Sequence, residues 1–273
     1  MDILQYAFFQ NAIIASFLIA ISSGLVGTYI VTRRMVFISG GITHASFGGL
    51  GIGFYLGANP ILSALVFAVF SAFGVEYLSH SDSYRRIRTD SVIAAVWSLG
   101  MAVGVIFIFL TPGYAPNLSA YLFGNILTVS VADIIWMSVL TVTVLSAYIL
   151  MKKVIVFTAF DRDFALTRNL PVRFIEYMMM FFIAATIVLS IRLAGIMLLM
   201  SLMTIPQMTA NIFTSNYNKI IVISCILGFV GCISGLFLSY FFNIPSGAFI
   251  ILIMIVVFFA ANFFKLCNIR RLF

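Results

Sequence analysis

Charge is scarce in this chain: only 8% of its 273 residues are Asp, Glu, Lys or Arg, and just 8 of those are acidic. So few ionic side chains cannot coat a soluble globule of this size, which excludes a water-soluble enzyme or carrier. Cysteine is nearly as rare, and Cys225, Cys232 and Cys267 form neither a CxxC pair nor a His/Cys cluster, so they read as buried free thiols rather than metal ligands. The patterns HExxH, GxSxG and GxxxxGK[ST] are missing, as are paired intramembrane aspartates. The chain therefore encodes no metalloprotease, serine hydrolase or ATPase, and it is read as a non-enzyme with no tightly bound cofactor. No polar stretch between apolar runs is long enough to bury a core of its own, which makes 1–273 one transmembrane domain. Asp2 and the lack of a basic cluster before the first apolar run argue for an anchoring helix over a cleavable signal.

What is abundant is apolar: 63% hydrophobic residues and a mean hydropathy of +1.18. Crossing a hydrocarbon core of roughly 30 Å takes about twenty such residues as helix. Nine runs qualify, at 7–31, 40–58, 60–80, 91–110, 127–150, 172–191, 194–213, 219–241 and 246–265. The predicted fold is all-α, a polytopic helical membrane protein of about nine spans. The count becomes eight if Gly-rich 40–58 or Pro206-interrupted 194–213 is a broken helix.

Basic residues orient the threading. With the N-terminus outside, Arg33, Arg34, Arg85, Arg86, Arg88, Lys152, Lys153, Arg162, Arg168, Arg173, Lys219, Lys265, Arg270 and Arg271 all fall in cytoplasmic connections, 14 of the 15. Arg192 alone falls outside. This bias predicts N-out and C-in in a plasma or inner membrane. The net charge of +7 then faces anionic lipid and not nucleic acid.

Ionisable groups inside spans are expensive and mark function or pairing. His44, between Thr43 and Ser46, is the foremost candidate, as a metal ligand flanked by hydroxyls or as a hydrogen-bonded packing histidine. Gly48, Gly49, Gly51 and Gly53 surround it with a glycine density that lets helices pack closely or a path form beside the backbone. Glu76 is expected to pair with Arg85 or Arg86, Glu176 with Arg173, and Asp133 with Arg192; His80 falls in a wet connection. The longest inside connection, 157–170, holds Phe160, Asp161, Arg162, Asp163, Phe164 and Leu166. Its acidic residues favour a helix N-terminus, Asn169-Leu170-Pro171 ends that helix, and the apolar residues fit a groove on a soluble partner.

Five blocks, in order, carry a likeness over nearly the whole chain. They are VTRRMVFISGGITHASFGG at 31–49, SAYLFGNILTVSVADI at 119–134, FDRDFALTRNLPV at 160–172, GIMLLMSLMTIPQMTANIFT at 195–214 and LSYFFNIPSGAFIIL at 238–252. Together they resemble the permease subunits of the ATP-binding-cassette importers for zinc, manganese and iron. That resemblance implies a homodimer with a pore between two copies of the chain. It also implies cytoplasmic ATPase subunits that consume ATP and dock at 157–170, and an extracytoplasmic metal-binding protein that delivers a divalent transition metal. His44, Thr43, Ser46, Gly48, Gly49 and Gly51 would border the path. The sequence departs from the family where Gly40, Asn125 and Asn243 stand in place of aspartates. Two rivals are a carrier driven by a proton or ion gradient, using Asp133, Glu76 and His44 as relays, and an ATP-binding-cassette permease for a metal chelate.

Overall fold

The computed structural model describes residues 5–80, 88–112, 124, 126–242 and 245–270. Arg85, Arg86, Asn125, Asn243 and most of the 111–117 turn lie outside the described residues, as do the side chains of His80 and Arg192. Among the described residues ten α-helices follow one another: α1 (Ala7–Thr32), α2 (Val36–Tyr55), α3 (Pro60–His80), α4 (Thr89–Leu110), α5 (Val131–Phe160), α6 (Arg162–Thr167), α7 (Val172–Leu202), α8 (Ile205–Phe213), α9 (Tyr217–Phe242) and α10 (Ser246–Arg270). A 3₁₀ turn, Ile126–Thr128, precedes α5. In hydrocarbon every backbone group must be satisfied within its own segment, so long apolar runs become helices even where glycine and β-branched residues lower intrinsic propensity.

Among the described residues, eight helical stretches are long and apolar enough to cross a membrane. They are α1, α3, α4, α5, α9, α10 and two stretches divided within α7, the second running on through α8. The ninth apolar run is α2, a full helix enclosed by α4, α3 and α7. α1 and α7 are largely buried, whereas α4, α5 and α10 turn most of their length outward. That exposed surface is made of residues such as Phe109, Trp136, Leu150 and Phe259, which suit lipid.

Three breaks shape the bundle. α7 leaves helical geometry at Gly195, with φ 74 and ψ 164, a region open essentially to glycine alone. Between α7 and α8 the chain breaks at Met203–Thr204, with Pro206 in the first turn of α8, where the lack of a donor is harmless. Gln207, wholly buried, repairs this break by donating Nε2–H to the Leu202 carbonyl at 3.1 Å and to the Ser23 carbonyl of α1 at 2.9 Å. The third break is a kink in α5 at Met151.

The α5 boundaries correct the sequence expectation of 127–150. Ser130 caps the helix and Asp133 completes a capping box, its Oδ2 accepting from the Ser130 N–H at 3.1 Å and the Ser130 hydroxyl at 2.6 Å. Asp133 thus sits in the first turn, where it caps its own helix end, rather than two turns inside; its expected partner Arg192 has its side chain outside the described residues. At the other end α5 continues to Phe160, so Lys152 and Lys153 are helical.

Candidate functional site

α2 holds six glycines, each about 1 kcal/mol less favourable than alanine in a water-exposed helix. Its packing accounts for them on two faces. Toward α3, a Cβ on Gly49 would come within 2.4 Å of the Ser63 carbonyl oxygen, and one on Gly53 within 2.8 Å of Pro60 Cα. Toward α4, a Cβ on Gly51 would meet the Gly104 oxygen at 2.4 Å, while one on Gly48 would be caught between the two neighbours, 2.8 Å from the Phe67 ring of α3 and 3.1 Å from the Gly100 oxygen of α4. Backbones therefore touch directly on both sides. The α4 glycines, Gly100 and Gly104, return the contact against Ala45 and Phe47.

His44 lies between these glycine contacts. Its imidazole stacks on Trp97 of α4 with centroids 4.3 Å apart and planes 7° from parallel, and Phe47 lies beyond at 6.4 Å. Nδ1 is buried and has no hydrogen-bond partner among the described residues, which leaves one ring nitrogen free to accept or ligate. Thr43 and Ser46 are wholly buried, and their hydroxyls donate back to the carbonyls of Ser39 and Thr43, the latter at 2.6 Å. The place one turn before His44 is filled from α7: a Cβ on Gly40 would meet the Met200 methyl at 2.8 Å. Trp97 and Met200 were not singled out by sequence, because they come from helices 50 to 160 residues away and carry no spacing signal. Among the described residues no three of His, Cys, Asp and Glu gather closely enough to hold a metal ion.

The second candidate region is the short helix α6. Asp161 is its N-cap, accepting from the Phe164 N–H at 2.9 Å, and Asp163 occupies its first turn. Asn169, at φ 54, ends it in the left-handed conformation that asparagine tolerates. Ala165 is buried against the bundle while Phe160, Phe164 and Leu166 are exposed, and Arg168 lies over the Phe164 ring at 5.3 Å. Arg162 turns the other way. Its Nε–H and Nη2–H donate to Glu176 of α7 at 2.8 and 3.4 Å, and the same Oε1 accepts from Arg33 Nη1 at 2.8 Å. Glu176 therefore pairs across helices with Arg33 and Arg162, and not with its sequence neighbour Arg173 as expected. Burial works against the Arg33 charge, but the Tyr29 hydroxyl and the Glu176 carboxylate more than offset it, so its pKa lies above its ordinary high value. Glu76 is buried near this cluster, and its expected partners, Arg85 and Arg86, lie outside the described residues.

Apolar crossing helices packed through glycine, with the half-buried His44 imidazole between them and a short amphipathic helix beside them, define a multi-pass membrane protein. The sequence signature of the ABC 3 transport family matches residues 5–265, so the chain belongs to the ABC 3 transport family. An uncharacterized membrane protein of Synechocystis is 40% identical over 92% of this chain and 88% of its own length. The manganese transport system membrane protein MntC of Listeria monocytogenes is 32% identical over 96% of this chain and 92% of its own. Among solved structures, PsaBC from Streptococcus pneumoniae in complex with Fab matches with a TM-score of 0.83 at 28% identity, covering 95% of this chain and 93% of that one.

Proposed function

We propose that this chain is the membrane permease of an ATP-driven importer for a divalent transition metal, manganese first among them. It works as a homodimer with cytoplasmic ATPase subunits at α6 and a metal-binding protein on the opposite face. The observation that carries this reading is similarity over nearly the full length to permeases described as manganese transport proteins. Because the ion is cargo and not a resident cofactor, a dense ligand cage would work against release. A lone imidazole in a tightly packed helix suits transient contact. His44 is the polar group beside the path, with Thr43 and Ser46 flanking it. Gly48, Gly49 and Gly51 hold α2 against α3 and α4 there.

Coupling runs through α6. Phe160, Phe164 and Leu166 form an outward apolar patch suited to a groove on an ATPase, in the manner of a helix laid into an apolar cleft. The ATPase supplies free energy by binding one conformation of the permease better than another. The orientation N-out, C-in follows from the basic residues and puts α6 on the ATP side.

The test is reconstitution of the chain with its ATPase in proteoliposomes. Manganese uptake should require ATP and survive a protonophore, and replacing Asp161 and Asp163 together, or Phe160 alone, with alanine should leave ATP hydrolysis without uptake. Uptake abolished by the protonophore alone would return the chain to the secondary-carrier class.

A further inference from the structure

A cavity of about 490 Å³ opens where the end of α1, the α5–α6 junction, the end of α8 and the start of α9 meet. Arg33, Arg34 and Arg162 line it together with Thr158 and Asn211, and among the described residues none that lines it is acidic. Among the described residues the carboxylate bonded to these arginines is that of Glu176, buried behind Arg33 and Arg162 at 2% exposure. The described lining therefore carries guanidinium charge alone, with Glu176 behind two of the three arginines and Arg34 paired with neither carboxylate nor neighbour among the described residues. Asp161, next in the chain, directs its carboxylate to the Phe164 N–H of its own helix. Such a lining suits an anion better than a divalent cation.

A further observation points to a ligand. Arg34 stands at φ 58, the left-handed position just after α1. There the Arg34 N–H reaches the Val31 carbonyl and the Met35 N–H the Ile30 carbonyl, a helix-ending pattern that favours glycine. An arginine held there keeps a strained backbone and a charge that forms no ion pair among the described residues. The bonds to Glu176 and Tyr29 leave N–H groups free on Arg33 and Arg162, and planar guanidiniums match phosphate oxygens two at a time.

We propose that this cavity binds a phosphate-bearing anion, with Arg34 as its principal contact and Arg33 and Arg162 in support. It lies where the apolar run of α1 ends, so a phospholipid headgroup and a soluble polyphosphate both present the required group. This inference rests on the fold and not on the transport reading.

The full chain, purified in neutral detergent and stripped of lipid, separates the sources in two arms. One arm scores retention of phosphatidylglycerol against a phosphate-free glycolipid by native mass spectrometry; the other titrates inorganic pyrophosphate by calorimetry. Wild type should bind in at least one arm, and that arm names the source. Arg34→Gly should weaken that binding about tenfold, the scale of one charge-assisted contact. Its melting temperature should not fall, because glycine accepts the left-handed conformation. Arg34→Lys, which keeps charge and loses the planar fork, should fall between. Binding by Arg34→Gly equal to wild type, or no binding in either arm, overturns the proposal.

Discussion

Arg162 and Arg33 bond to one oxygen: Glu176 Oε1 accepts from both at 2.8 Å, which ties the short α6 to the end of α1 and to α7. A carboxylate shared by two guanidiniums in a largely buried position holds geometry more than it adds stability, and removing it strands two charges.

Glu176→Ala should therefore lower stability by about 3 kcal/mol, at the low end of the range for breaking a buried pair because Arg162 is partly exposed. Glu176→Gln should lose less, since its amide oxygen still accepts one bond. Denaturant unfolding in detergent micelles measures both, and a loss below about 1 kcal/mol for the alanine variant would show that other groups fasten α6.

The α2–α4 contact gives a paired prediction. A Cβ on Gly100 would lie 2.4 Å from Ala45 Cα, and backbone cannot step aside as a side-chain tip can. Gly100→Ala should cost about 1–3 kcal/mol through forced separation of the helices. Gly74, in α3, has nothing within 4 Å of the same built position, and Gly74→Ala should be neutral or stabilising by up to about 1 kcal/mol. Thermal denaturation of the two variants side by side checks the difference.

The apolar runs, the helix at 162–167 with its Asp161 cap, and the end of that helix at Asn169 were legible because each depends on residues close in sequence. Ser130 and Asp133 form a capping box, also local and therefore readable, but Asp133 was judged as an intramembrane charge and its role was missed. The partners of Glu176 and the Trp97 ring on His44 were not legible. Arg33 is 143 residues from Glu176, and no spacing rule reaches across helices. For the same reason the glycines of α2 announced close packing without naming α3 on one face and α4 on the other.

Gly195 tests the break in α7. At φ 74 and ψ 164 an alanine would sit in a region that its Cβ forbids, and Gly124 is packed so tightly opposite that its own added Cβ would lie 2.2 Å from the Gly195 nitrogen. Gly195→Ala should destabilise by about 1–3 kcal/mol. Unfolding in micelles reads the loss, and an unchanged midpoint would mean that this turn relaxes into ordinary helix.

The last prediction concerns Gly40, one of the three residues that depart from the pattern the family resemblance implies. Gly40 lies one turn before His44, so an aspartate there would put a carboxylate and an imidazole on one helix face. The obstacle is the Met200 methyl, 2.8 Å from the built Cβ, the far end of an unbranched side chain that can swing away at little expense. Gly40→Asp should therefore fold, and the added anionic oxygen ligand should tighten divalent-metal binding roughly tenfold, an increment of about 1.4 kcal/mol. Tighter binding also slows release, so uptake per ATP hydrolysed should fall even as affinity rises. Calorimetric titration with manganese, paired with uptake in proteoliposomes, resolves the two effects. The double variant Gly40→Asp with His44→Ala should lose the gain, and if it keeps the gain, the new carboxylate binds without the histidine and His44 belongs to the packing of Trp97 alone.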